Sequence, residues 1–155
     1  PRIFNRDKIY LKFKMINLKF GLFILSMIFN ISLYITSIIL GIMIFFSFVV
    51  APVAFSSLDK ESYSVFIRKI FPYYYLINLA LSLVVFFIFI YLNIFEIKFY
   101  LISLTAILFF ISNYLLMPLI NKYSDQNLHQ KFKYSHLLSV ILNFIQMFCL
   151  IFILI

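Results

Sequence analysis

No charged side chain occurs between Lys19 and Asp59. A helix that crosses the hydrocarbon core of a bilayer needs only about 20 apolar residues, so this stretch is longer than one crossing requires. Its middle lacks a clear turn signal, which predicts one long helix rather than two. We expect the crossing part at residues 31–54, with residues 20–30 near one interface and Pro52 at the far end.

Three further apolar runs, at residues 72–92, 99–120 and 135–155, are separated by charged segments. The chain is 65% hydrophobic and 12% charged, whereas a soluble domain carries about 25% charged residues. Too little polar surface is present to cover such a core in water. The sequence therefore predicts an all-α fold, an integral membrane four-helix bundle at residues 20–155 that follows a basic N-terminal arm at residues 1–19.

Residues 56–71 differ from the apolar runs because they mix charged and apolar side chains. Ser57 or Asp59 is suited to cap a helix here. One face of that helix is apolar, with Tyr63, Phe66, Ile67 and Ile70. We predict a short amphipathic helix on the membrane surface between spans one and two; a solvated loop is the alternative. The short segment 93–98 makes spans two and three antiparallel neighbours.

The net charge of +8 resides in the arm and the loops. There it meets anionic lipid headgroups, and no patch suited to nucleic acid is present. Over the whole chain, seven basic residues on the side of the termini face six on the other, which leaves the orientation open. Counted from Met15, a candidate start, only Lys19 and Lys98 remain on the first side. This count places the loop at residues 121–134 on the cytoplasmic side of a bacterial inner membrane.

Polar side chains within the spans are informative because each requires a partner in lipid. On span four they follow a spacing of three and four residues: His136, Ser139, Asn143 and Gln146. Asn113 of span three and Asn78 of span two lie at a similar depth to Asn143, about 10 Å below one membrane face. We predict a polar layer inside the bundle. It is either a structural hydrogen-bond layer or a site for a small solute.

His136 is the one serious candidate ligand for a metal or haem. A pair with His129 and a copper site built from methionines are the weaker options for a metal. No cofactor is predicted, and haem or copper is kept as an alternative. All five acidic residues lie outside the predicted spans, so no carboxylate pair faces the bundle. The residues therefore give no support to hydrolase chemistry, and a protein that is not an enzyme is favoured over an enzyme.

Four short elements in order carry a resemblance to a known family. The first contains Gly41 and Pro52, in GIMIFFSFVVAPVAF, and the second is Phe71-Pro72-Tyr73-Tyr74-Tyr75. The third is Asn113 with Pro118, and the last is FKYSHLLSVILN, which begins at Phe132. Together they resemble the transmembrane-protein-205-like family, whose bacterial members are catalogued as a domain of unknown function. Two features depart from the pattern of this family. One is the long apolar stretch before Gly41, and the other is Leu137, where many relatives have glycine.

The resemblance implies four spans and a structural role for Gly41, Pro52, Phe71, Pro72, Pro118 and Phe132. Eukaryotic relatives are associated with resistance to platinum drugs, which implies export or secretion. A more distant likeness links the chain to copper-resistance D-type proteins and small membrane protoporphyrinogen oxidases. Two functional hypotheses follow. The first is a multi-pass membrane protein for transport or for stress or metal resistance, which acts on a small-molecule or metal solute. A homo-oligomer is compatible with this hypothesis. The second is a haem- or metal-binding redox protein that uses His136.

Overall fold

The computed structural model describes the backbone of residues 2–155 and the side chains of residues 14–155, so most of the predicted basic arm lies outside the described side chains. All regular structure in the described part is helical. Its elements are α1 (Arg2–Phe45), a first π turn (Phe46–Val50), α2 (Ala51–Ser57), α3 (Lys60–Tyr91), α4 (Ile97–Ile111), a second π turn (Ser112–Leu116), α5 (Met117–Asp125) and α6 (His129–Leu154).

These elements make four long helices, because each π turn joins its two flanking helices without a break. The first long helix is α1 to α2, the second is α3, the third is α4 to α5 and the fourth is α6. All four are long and apolar enough to cross a membrane. Successive helices pack side by side, and the fourth also packs on the first. The predicted all-α four-helix bundle is confirmed.

Two of the connections are tight turns closed by asparagine. Asn93 and Asn127 have positive φ angles of 54° and 55°, a conformation that asparagine tolerates better than most residues. Beyond each one, the next N–H reaches back to a helix carbonyl: Ile94 N to Phe89 O at 2.9 Å, and Leu128 N to Tyr123 O at 3.0 Å. This is the Schellman pattern, which ends a helix with its last carbonyls satisfied.

The predicted surface helix is corrected in one respect: it is the opening of α3 and has no break at Pro72. Asp59 caps the helix as expected, since its Oδ1 accepts from Glu61 N and Ser62 N, both at 3.0 Å. The segment packs on protein, with the Tyr63 ring 5.5 Å from that of Phe55. Arg68 forms a salt bridge with Asp125 at the end of the third long helix. These contacts hold the segment in line with the rest of α3.

The core-facing side of the first long helix is a stripe with spacing of three and four residues. Its buried members are Ser32, Thr36, Ile39, Met43 and Phe46. The small residues Ser37 and Gly41, four apart in the sequence, lie on the opposite, exposed side. A Cβ added at Gly41 would meet nothing within 4 Å. The described bundle therefore has no close helix contact at this pair.

The far end of the bundle, away from Asp59, is closed by a lysine. Lys98 Nζ donates to the carbonyl oxygen of Ile153 at 2.8 Å. A positive side chain at a helix C-terminus satisfies an orphan carbonyl and interacts favourably with the helix dipole. The start of the third long helix is thus tied to the end of the fourth.

Candidate functional site

A chain of polar side chains joins three of the long helices inside the bundle. Asn143 of α6 is its centre: Asn143 Oδ1 accepts from Tyr74 Oη at 2.8 Å. Asn143 Nδ2 donates to Ser47 Oγ of the first π turn at 3.0 Å. Each of these bonds joins residues far apart in sequence, so the chain fixes how the first, second and fourth helices pack. We call Ser47, Tyr74, Asn78 and Asn143 the polar cluster.

Aromatic rings surround the buried Tyr74. The ring of Phe46 stacks on that of Tyr74 with centroids 4.4 Å apart. Phe71 meets Phe46 edge-on at 5.2 Å. These rings bury Tyr74, and a hydrogen bond in such surroundings is electrostatically stronger than in water. Its hydrogen-bonded partners Asn143 and Ser47 are half-buried.

Asn78 lies one turn below Tyr74 on the same face of α3 and is fully buried. Its Nδ2 donates to the main-chain carbonyl oxygen of Tyr74 at 2.7 Å. The main-chain carbonyl oxygen of Asn78 accepts from Ser82 Oγ at 2.8 Å. Asn78 Oδ1 has no hydrogen-bond partner among the described residues. A buried amide oxygen without a donor costs about 1–3 kcal/mol. Asn78 Oδ1 is therefore the one buried side-chain polar atom of the cluster that lacks a partner among the described residues.

Gln146 continues the polar face of α6 toward the middle of the bundle and is fully buried. In the amide orientation that satisfies both ends, Gln146 Oε1 accepts from Phe109 N at 3.0 Å and its nitrogen donates to Leu142 O at 3.3 Å. The amide therefore joins α6 to α4. Thr105, the buried neighbour on α4, bonds the carbonyl oxygen of Leu101 in its own helix at 2.9 Å.

The two π turns share one local sequence device. Each ends two residues before a proline, Pro52 or Pro118, and each has a polar residue at its second position, Ser47 or Asn113. Proline lacks an N–H and clashes with the carbonyl one turn earlier, which favours a widened turn just before it. The closing bonds run from Ala51 N to Phe46 O and, in the second turn, from Met117 N to Ser112 O.

The remaining predicted residues are not joined to the cluster by hydrogen bonds. Asn113 is half-buried and makes no side-chain hydrogen bond with the described residues. Ser139 Oγ donates to the carbonyl oxygen of His136 at 2.9 Å, within its own helix. The three asparagines of the predicted layer are therefore not joined by hydrogen bonds among the described residues. Asn143 connects the first, second and fourth long helices, Asn78 bonds within its own helix, and Asn113 lies apart.

His136 is exposed at the end of the bundle that bears the Asp59 turn. Its ring lies parallel to that of Phe132 at 5.9 Å. Among residues 14–155, no group of three or more His, Cys, Asp or Glu side chains is placed to hold a metal ion. A haem or metal ion bound at His136 would therefore not find two further ligands of these types beside it within residues 14–155.

Two members of the cluster were not singled out as site residues from the sequence. Tyr74 belongs to a run of three tyrosines, Tyr73 to Tyr75, and Ser47 stands alone in an apolar run. The spacing of four between Tyr74 and Asn78 was the usable signal for Tyr74, because it puts both on one helix face. Ser47 has no such signal, since its position depends on the π turn.

A family model for a domain of unknown function, DUF4149, matches residues 34–154. The chain belongs to this family. The matched region contains the whole polar cluster, both π turns and both prolines, whereas the N-terminal part of α1 lies outside it. No curated protein and no solved structure matches the chain.

Proposed function

We propose that this chain is a multi-pass protein of the bacterial inner membrane that binds a small solute at the polar cluster. The solute donates a hydrogen bond to Asn78 Oδ1, and binding serves transport or resistance to a toxic compound rather than chemistry. Four helices long and apolar enough to cross a membrane support a membrane protein. The family match assigns it no role, so the proposal depends on the geometry of the cluster.

The Asn78 amide oxygen is the observation on which the proposal rests. It is fully buried and lacks a donor among the described residues. Within a bilayer no bulk water is at hand to satisfy it, so the deficit persists unless a molecule enters the bundle. A hydroxyl, amine or amide on a small solute supplies the missing donor. The other cluster members are uncharged, which favours a neutral or weakly polar solute over an ion.

The π turns add support because such turns occur frequently at functional sites. Both lie beside prolines, which deprive a carbonyl one turn earlier of its helical donor. In membrane proteins, interrupted helices are tolerated where they line a cavity or are buried in protein. The first π turn places Ser47 directly on Asn143, so the irregular backbone and the polar cluster form one feature.

The finer resemblance to the transmembrane-protein-205-like family supports export as the direction of transport, and metal-bearing drugs as one class of solute. The haem or metal alternative depends on His136 alone. No contact in the structure favours that alternative, since the His136 ring is exposed and stacks on Phe132.

The test is native mass spectrometry and visible absorption of the protein extracted in mild detergent. We expect a colourless protein with a bound non-lipid mass, which Asn78→Leu removes. Ser82→Ala is the matched control, because it deletes a buried hydroxyl one turn away that bonds only its own helix. A wild-type protein without any bound non-lipid mass would contradict the proposal. A Soret band that disappears in His136→Ala would replace it with the haem alternative.

A further inference from the structure

The first long helix is much longer than the bundle that it belongs to. Its candidate span runs from Lys14 to Ser57, 44 residues, while the fourth runs for 26 residues. At about 1.5 Å per residue the first is roughly 66 Å long, against about 30 Å for the hydrocarbon core. Phe29 stacks on Phe89, near the end of α3, with centroids 6.4 Å apart. Residues 14–28 therefore project about 22 Å beyond the bundle. We call them the overhang.

The overhang exposes apolar side chains on all its sides. The core stripe of α1 continues into it as Leu25, Leu22, Leu18 and Met15, which are between 43% and 65% exposed. Off that stripe, Phe20 and Phe23 are 65% and 66% exposed. Exposing such a side chain to water costs about 1.5–3 kcal/mol relative to burying it. A helix that is apolar all round is found inside protein or lipid.

The charges of this region select lipid as the cover. Lys14 and Lys19 lie on the overhang, and residues 1–13 contain four more basic residues and one acidic residue. Anionic headgroups attract basic side chains that lie beside a membrane, by about 1 kcal/mol each. A second copy of the chain laid along the first would bring like charges together instead, which is unfavourable.

We propose that the overhang is an interfacial anchor that lies in the headgroup region of a bilayer containing anionic lipid, with its apolar side chains in the acyl boundary and Lys14 and Lys19 among the phosphates. This placement requires α1, which is one unbroken helix in the structure, to bend where its bundle contacts cease, between Gly21, which has nothing within 4 Å of an added Cβ, and Asn30. This inference is independent of the solute site, since the overhang lies outside the family-matched residues 34–154.

The chain contains no tryptophan, so a single introduced tryptophan reports its own surroundings. The full-length protein is reconstituted in phosphatidylcholine vesicles with or without phosphatidylglycerol, bearing bromine at shallow or deep acyl positions. Phe20→Trp and Phe23→Trp probe the overhang. Phe148→Trp is the matched control, because Phe148 is 59% exposed on the fourth helix and should face the acyl chains directly.

We expect shallow bromines to quench most of the emission of Phe20→Trp and Phe23→Trp, and deep bromines to quench Phe148→Trp more strongly. Adding Lys14→Glu and Lys19→Glu to Phe20→Trp should weaken shallow quenching in vesicles containing phosphatidylglycerol, whereas adding Lys133→Glu should not. Quenching by aqueous iodide without bromine quenching would overturn the proposal by placing the overhang in water. Protection from both quenchers, with cross-linking between copies that carry Leu22→Cys, would overturn it in favour of a second copy.

Discussion

The two π turns differ in what their shared device accomplishes. The first turn places Ser47 on Asn143 and so joins the first helix to the polar cluster. The second turn has the same proline offset, yet its Asn113 makes no side-chain hydrogen bond with the described residues. Proline therefore sets where a helix of this bundle widens, while the facing helix determines whether the widened turn acquires a polar partner.

The largest effect is expected from removing the centre of the cluster. Asn143→Leu leaves Tyr74 Oη and Ser47 Oγ without their partner. Tyr74 is buried, and an unsatisfied buried group costs about 1–3 kcal/mol; the half-buried Ser47 adds a smaller loss. Asn113→Leu removes no hydrogen bond and should change stability little. Thermal unfolding in detergent measures both, with Phe144→Leu as the apolar control on the same helix. Equal losses for Asn143→Leu and Asn113→Leu would show that the two π turns are equivalent.

A smaller effect is expected from the tyrosine hydroxyls beside the two turns. Tyr74→Phe keeps the stacking on Phe46 but deprives Asn143 Oδ1 of its donor, so a loss of about 1 kcal/mol is expected. Tyr114 lies in the second π turn and is exposed, so Tyr114→Phe should be neutral. Unfolding midpoints in the same detergent test this pair. A neutral Tyr74→Phe would mean that the hydroxyl bond contributes nothing to packing.

Replacing the two prolines should change stability differently, with a gain for Pro118→Ala and an offset gain for Pro52→Ala. Pro118→Ala restores an N–H and a better helix former, so it should stabilise the third long helix by up to about 1 kcal/mol. Pro52→Ala brings the same gain but lets the first π turn relax, which withdraws Ser47 from Asn143 and offsets it. Hydrogen–deuterium exchange around each turn, together with the unfolding midpoint, reports the outcome. Equal gains at both sites would refute the coupling between the first turn and the cluster.

The smallest effect concerns the start of the helix that presents Tyr74 to the first turn. Hydrogen bonds from Ser62 and Glu61 lower the pKa of Asp59 below its ordinary value of 3.8. A carboxyl with a lowered folded-state pKa stabilises the fold above its unfolded pKa, and this contribution disappears as the pH falls through the folded pKa. Stability should therefore fall slightly more steeply below pH 3.8 in the wild type than in Asp59→Asn, which keeps a cap that does not titrate. Parallel pH profiles would contradict this.

The helices were readable from the sequence because lipid imposes a length and a composition on each span. Asp59 as a cap and the short turn at residues 93–98 were equally visible, since both depend on local chemistry. Pro72 was misleading, because it looked like the start of a helix although α3 runs through it, held by contacts to Phe55 and Asp125 that only the assembled bundle provides.

The candidate site was harder to foresee than the fold. The spacing on α6 correctly singles out Asn143 and Gln146 as polar residues on one stripe, but periodicity cannot say where along the stripe the bundle ends. His136 is exposed for this reason, while Gln146 is fully buried. The partner of Asn143 depends on a π turn, which shifts the helix face by a fraction of a turn and leaves no mark in an apolar sequence beyond the proline that follows.

The buried polar side chains of the described bundle, from Ser32 to Gln146, are all uncharged. A membrane potential does work only on charge, about 2.3 kcal/mol per elementary charge moved through 100 mV. The described interior of the bundle therefore contributes no side-chain charge on which the potential could act. If a solute crosses the bilayer through the polar cluster, the charge of that solute sets the work that the potential does on its passage.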